Sequence, residues 1–233
     1  MNSVIYLTVL PPLFLLGYIY KIDKIEHEPV KLILKLFVLG VLSCFPAVVL
    51  EDLGVSLLYS ISSNPESTVT IFIENFFVIA LAEEGLKFLF TYQGSWRHKE
   101  FNYRFDAIVY AVAVSIGFAL LENILYVFTG DGDSFSIVVQ RALTSIPLHT
   151  ITAIFMGHFY GEAKLAYHRG NLRKSKRGLR LALIVPVIIH GFYDFCLSVE
   201  SDLLILIFFV YIIVLDIVAF IKVRKYAKED VAI

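Results

Sequence analysis

Seven stretches of the chain run for about 20 residues with few charges, the length at which a helix crosses roughly 30 Å of hydrocarbon. They lie near residues 3–20, 30–50, 70–92, 106–129, 136–163, 180–199 and 203–222. Composition agrees: 58% of the residues are hydrophobic and 18% charged, against about 45–50% and about 25% in a soluble domain. The expected fold is an all-α polytopic membrane protein, a bundle of about seven transmembrane helices. Glu51-Asp52 and residues 53–58 read as a short interfacial turn after the second span. The first span lacks the basic n-region and small-residue cleavage site of a signal peptide, so it reads as a retained helix. No internal repeat divides the chain, and residues 1–233 read as one integral membrane domain with a motif-bearing core at 70–200.

The basic residues orient the bundle. Lys21, Lys24, Lys31 and Lys35, then Arg97, Lys99 and Arg104, then the run from Lys164 to Arg180, then Lys222, Arg224, Lys225 and Lys228 occupy alternate connections. The other connections hold none. By the positive-inside rule the basic side is cytoplasmic, so the N-terminus and the loops at 59–69, 130–135 and 199–203 lie outside and the C-terminus inside. A net charge of -1 excludes a nucleic-acid partner, because no basic domain exists to neutralise phosphates. Cys44 and Cys196 both sit in apolar runs, which argues against a disulfide framework.

Two basic residues, Lys87 and Arg141, fall inside spans instead, together with Glu83, Glu84, Glu122, Asn123, His149, His190 and Asp194. Ionisable groups at membrane depth are costly and mark functional interiors or wet cavities. At about 1.5 Å per residue from the outer ends, Glu83, Glu84 and His149 lie about 20 Å down, His190 about 14 Å and Glu122 about 10 Å, which allows one shared layer. Glu83 and Lys87 are spaced i,i+4 and can pair, leaving Glu84 as the unpaired carboxylate turned about 100° away. His190 and Asp194 are also i,i+4, so Asp194 can hold the second N–H of a metal-bound imidazole. Ser145, His149, Ala153, Gly157 and Gly161 form a four-residue stripe ending in a small-xxx-small packing face. Imidazoles and carboxylates at one depth are the ingredients of a water-activating metal site, with zinc the expected ion. A metal-free Glu/His acid–base site is the chemical alternative.

These residues resemble a known family. Glu83-Glu84-Gly85-Leu86-Lys87 is similar to the EExxK motif of the PrsW family of intramembrane proteases, and Gly117 to Asn123 to its GFAxxEN segment. Arg141 to His149 resembles its third region, and His190-Gly191-Phe192-Tyr193-Asp194 its HGxYD segment. The four matches run in order over residues 83–194. The related CAAX-protease and bacteriocin-processing superfamily has a histidine where this chain has Glu122, and His149 is the candidate to supply the second imidazole, so the resemblance implies Glu122, His149 and His190 as the metal ligands. The resemblance implies catalysis by Glu83, Glu84, Glu122 and His190, supported by Lys87, Asn123, Arg141 and Asp194. It also implies a multi-pass protease of the bacterial cell membrane that makes the first cut in a single-span anti-sigma factor, starting release of an envelope-stress sigma factor, with a second intramembrane protease acting downstream.

Other chemistries fit less well. There is no H-E-x-x-H zinc helix and no serine in a GxSG context. The GxGD string at Gly130-Asp131-Gly132-Asp133 falls in an outside loop and in the wrong order relative to Tyr193-Asp194. The alternatives are a CAAX-protease-like enzyme processing another membrane peptide and a proton- or ion-coupled transporter. The transporter's expected inverted repeats and paired broken helices are missing.

Overall fold

The computed structural model describes residues 2–129 and 134–233. The Gly130–Asp133 string lies outside the described residues. In lipid every backbone N–H must be satisfied within the chain, and helices do so segment by segment. The described elements are helices α1 (Asn2–Ile22), α2 (Val30–Ile61), α3 (Thr68–Ile73), a π-helical turn at Glu74–Ile79, α4 (Ala80–Ser95), α5 (Asp106–Thr129), α6 (Ser134–Leu143), α7 (Ser145–His168), α8 (Leu172–Ser198) and α9 (Asp202–Lys228).

Among the described residues, six stretches are long and apolar enough to cross a membrane, namely Val4–Ile22, Val30–Ile61, Asp106–Phe128, Phe135–His168, Leu172–Ser198 and Asp202–Lys228. The expected third crossing is the unbroken helical run Thr68–Ser95, whose Glu74, Glu83, Glu84 and Lys87 lower its apolarity. Two of the expected crossings depart from regular α-helix. The third changes register at the π-helical turn, a feature that recurs at functional sites. The fifth breaks at Thr144 (φ -125°, ψ -60°), which puts Pro147 in the first turn of α7, where its missing N–H leaves no intrahelical bond unmade. The second span differs from expectation. Glu51-Asp52 forms no interfacial turn: α2 continues to Ile61, about 48 Å of helix at 1.5 Å per residue, with nothing between Glu51 and Ile61 to stop it.

Helix α5 is the axis of the bundle. Ala107 to Val114 are all essentially fully buried, as expected of a helix apolar on every side. Two glycines let α2 lie against it: a Cβ on Gly40 would come within 1.9 Å of the Val114 carbonyl oxygen, and one on Gly117 within 2.0 Å of that of Phe37. The expected stripe on α7 packs the same way, with Gly157 against the Ile108 backbone and Gly161 against the Arg104 carbonyl.

The basic connections gather at one end. Arg104 and Lys174 share Glu162 at 2.8 and 3.4 Å, Lys164 Nζ donates to the Trp96 carbonyl at 2.6 Å, and Arg224 Nε donates to the Tyr18 hydroxyl at 3.2 Å. The C-terminal tail closes this end, with Arg104 N–H donating to the Val231 carbonyl, Ile233 N–H to that of Asn102 and Phe105 N–H to Asp230 Oδ1. Asp106 is the first residue of α5. Its Oδ2 accepts from the Asn102 and Tyr103 amides upstream, so it folds the entry loop rather than capping the helix's own first turn.

Candidate active site

Near the middle of the bundle, α4, α5, α7 and α8 each turn their polar residues inward. The π-helical turn sets the phase of Glu83, Glu84 and Lys87 on α4, and all three are buried. Lys87 Nζ lies 2.9 Å from Glu83 Oε2 and 2.9 Å from Glu84 Oε1. The expected pairing of Lys87 with Glu83 alone is therefore too narrow. Residues three and four positions before a lysine flank the same helix face, and one ammonium reaches both. The same nitrogen is 2.9 Å from His149 Nδ1 and 4.1 Å above the Phe118 ring.

The two imidazoles stand 5.4 Å apart, close to perpendicular. The ammonium can only donate, so His149 Nδ1 accepts and its Nε2–H donates to Glu122 Oε2 at 2.8 Å. Glu122 is held in turn by Arg141 at 2.8 Å. The guanidinium also donates to Asn123 Oδ1 and lies 3.9 Å over the Tyr126 ring. His190 Nδ1 faces Glu84 Oε1 at 3.0 Å, with Glu83 Oε2 at 3.8 Å, and its Nε2 is 3.2 Å from Asp194 Oδ2. Asp194 thus stands behind the ring, as the i,i+4 spacing anticipates. The break before α7 matters here, because it lets Arg141 on α6 and His149 on α7 approach Glu122 from different directions. Tyr193 fastens that break by donating its hydroxyl to Thr144 Oγ1 at 2.8 Å.

Every residue singled out in the spans therefore belongs to one connected network. Within it, one ligand atom from each of Glu83, Glu84, His149 and His190 lies within 4.8 Å of the others. Glu122 sits one step outside this group, on the far nitrogen of His149. Glu84 Oε2 is buried with no hydrogen-bond partner among the described residues. A buried orphan carboxylate oxygen beside two imidazoles and a second carboxylate is a donor set suited to a divalent metal such as zinc.

Glu83, Glu122, Arg141, His149, His190 and Asp194 of this network form one wall of a cavity of about 520 Å³. Its remaining lining includes Cys44, Val48 and Glu51 from α2, Asn75 from the π-helical turn, and Ser198 from the end of α8. Glu51 is the residue that sequence reasoning missed. The available signal was its i,i+3 and i,i+7 spacing from Val48 and Cys44, which puts all three on one helix face. Ser115 and Thr152, also unanticipated, hold the His149 carbonyl at 2.8 and 3.1 Å.

A helical membrane bundle with a buried Glu/His cluster opening on a cavity is the architecture of an intramembrane protease. Comparison with known proteins agrees. Residues 28–221 match the family described as PrsW family intramembrane metalloprotease. The chain is 37% identical over 235 residues to Protease PrsW of Oceanobacillus iheyensis, covering 100% of both chains. It is 32% identical over 202 residues to that of Bacillus subtilis, covering 87% of this chain and 86% of the relative. With the Clostridioides difficile protein it shares 29% over 225 residues, 96% and 91% of the two chains. No solved structure matches. The chain belongs to the PrsW family of intramembrane metalloproteases, and it is a multi-pass protease of the bacterial cell membrane whose substrate is a membrane protein.

Proposed function

We propose that the Glu/His cluster is the catalytic centre, and that it makes the first cut in a single-span anti-sigma factor, after which a second intramembrane protease continues release of the sigma factor. The observation that carries the site assignment is the convergence of Glu83, Glu84, His149 and His190 within 4.8 Å, with Glu83, His149 and His190 on the wall of a cavity of about 520 Å³, room for both a peptide segment and water. Glu83, His149 and His190 are the residues that would hold a metal, zinc by the nature of the donors, with Glu122 orienting His149 and Asp194 orienting His190. When bound, the ion would polarise the scissile carbonyl and acidify water.

The chain's own residues supply the rest. Of the two glutamates, Glu84 keeps an oxygen free of partners, which suits it to take the proton from the attacking water and return it to the leaving amine. Lys87 and Arg141 supply the positive charge that keeps Glu83, Glu84 and Glu122 tolerable at membrane depth. Asn123 fixes the Arg141 guanidinium from the other side.

The test is cleavage of a single-span reporter substrate by purified protein in detergent. Glu84→Gln should lower kcat/KM by at least about 100-fold, the lower range of a lost general base. Equal cleavage by wild type and Glu84→Gln would overturn the assignment. The anti-sigma reading is tested separately, by finding whether the intact anti-sigma factor accumulates in cells carrying Glu84→Gln.

A further inference from the structure

The carboxylates on the cavity wall are not equivalent. Glu83 is bound by Lys87, Glu122 by Arg141 and His149, and Asp194 by His190. Glu51 alone has neither an ion pair nor a hydrogen bond among the described residues, and its Oε1 is buried. It occupies α2 on the same face as Cys44 and Val48, which also line the cavity. Helix α2 ends at Ile61 and α3 begins at Thr68, and these ends are level, since the Ser62 and Thr70 hydroxyls are hydrogen-bonded at 2.9 Å. At 1.5 Å per residue Glu51 is then about 15 Å below that outer level, and Glu84 about 24 Å. Glu51 thus faces the part of the cavity between the catalytic layer and the outer surface.

Glu51 is only partly buried, and an apolar segment entering the cavity would displace the water that serves its carboxylate, at a cost of several kcal/mol if no partner replaced it. Both cations inside the spans are already engaged: Lys87 by Glu83, Glu84 and His149, and Arg141 by Glu122 and Asn123. Compensation for Glu51 has to arrive with the occupant of the cavity. A neutral amide would satisfy one lone pair, whereas an ammonium or guanidinium would satisfy the charge as well and form the stronger, charge-assisted bond.

We propose that Glu51 is a specificity-determining residue that binds a Lys or Arg side chain of the substrate, placed on the extracytoplasmic side of the scissile peptide bond. The proposal rests on the cluster around Glu84 being the catalytic centre. It makes the enzyme selective for transmembrane segments carrying a basic residue near the cut, a feature that is rare in such segments because of its cost in lipid. The charge leaves the lipid for a matched carboxylate as the segment enters the cavity.

The experiment uses full-length protein in detergent and single-span peptides that differ only in having Lys, Gln or Glu at each position within one helical turn outward of the cut, which mass spectrometry locates. For wild type, kcat/KM at one position should favour Lys over Gln by about tenfold or more, the effect of a buried charge-assisted contact worth about 1.4 kcal/mol. In Glu51→Gln and Glu51→Ala that ratio should fall to about 1, and in Glu51→Lys the Glu peptide should become the preferred one. A wild-type enzyme without Lys preference at any position, or variants that keep the preference whatever their overall rate, would overturn the proposal. Glu51→Gln preserves side-chain shape and carries the test if Glu51→Ala or Glu51→Lys does not fold. Failure of the catalytic assignment reads differently, since Glu84→Gln would then cleave every peptide as wild type does.

Discussion

Replacing Lys87 by methionine isolates what holds the cluster together. Methionine keeps the length and apolar contact of the lysine stem and removes the ammonium, together with its contact over the Phe118 ring. That nitrogen makes three contacts at 2.9 Å, to Glu83, Glu84 and His149, with the side chains of all four residues almost wholly excluded from solvent. Removing one partner of a buried ion pair costs about 3–5 kcal/mol, because the remaining charge is stranded. Here two carboxylates are stranded by one substitution, so the upper part of that range applies. At about 2–4 °C per kcal/mol for a chain of this size, 5 kcal/mol is a fall in Tm of about 10–20 °C. The buried free thiols of Cys44 and Cys196 allow unfolding in detergent to be followed with a thiol-reactive fluorophore. Adding Glu83→Gln to Lys87→Met should recover part of the loss, giving a coupling energy of about 1 kcal/mol or more. A fall in Tm of less than about 2 °C for Lys87→Met, or strict additivity in the double variant, would refute the view that this ammonium is the cluster's counter-charge.

Three other outcomes follow from the same structure. His190→Ala should abolish stoichiometric zinc binding measured by elemental analysis, and Asp194→Asn, which loosens the ring without removing it, should weaken affinity about 10- to 100-fold; unchanged metal content in His190→Ala would exclude it as a ligand. At the cytoplasmic end, burial and then the neighbouring Asp230 push the Asp23 carboxyl up from 3.8 to about 6, and burial raises Glu28 in the same direction. The folded state then binds more protons than the unfolded one, so this contribution to stability falls as pH rises from about 4 through 6, by about 3 kcal/mol at most for Asp23. Asp23→Asn should therefore reduce the difference in Tm between pH 5 and pH 8, and an unaltered difference would contradict the placement of Asp23. Gly117→Ala drives a Cβ to 2.0 Å from the Phe37 carbonyl oxygen and should cost about 1–3 kcal/mol by forcing α2 off α5, whereas Gly17→Ala, with open space around it, should leave Tm unchanged.

What was legible in the sequence was the chemistry of the site more than its wiring. In a chain this apolar each charge inside a span has to be compensated, so Lys87, Arg141 and their acidic partners stand out, and the i,i+4 spacing of His190 and Asp194 already specifies a contact seen at 3.2 Å. Straight helices were the wrong assumption for the rest. The π-helical turn at Glu74–Ile79 leaves no mark in a hydropathy pattern, yet it determines which way Glu83 and Glu84 face. Pro147 lies beside the break at Thr144, but Pro46 and Pro186 sit inside unbroken helices, so a proline alone does not single that break out. Glu51 looked interfacial because a charge pair at a span's end usually is; only the unbroken course of α2 to Ile61 puts it inside.

These departures from regular helix share one physical origin. Seven straight, ideally packed helices would bury apolar surface well but would leave no cavity for water or substrate. They would also present at most one or two side chains per helix to any common point. The register change before α4 and the break before α7 allow α4, α6 and α7 to deliver Glu83, Glu84, Lys87, Arg141 and His149 to a single network with Glu122 and His190. Tight glycine-mediated packing of α2 and α7 against α5 supplies the stability against which those irregularities are set. The asymmetry has a functional direction: α5 is sealed over Ala107–Val114 at its cytoplasmic half, while its outer half, from Phe118 to Tyr126, borders the cavity. On the proposed site assignment, water and substrate would reach the cluster from the outer side, the half of the bundle that is not sealed.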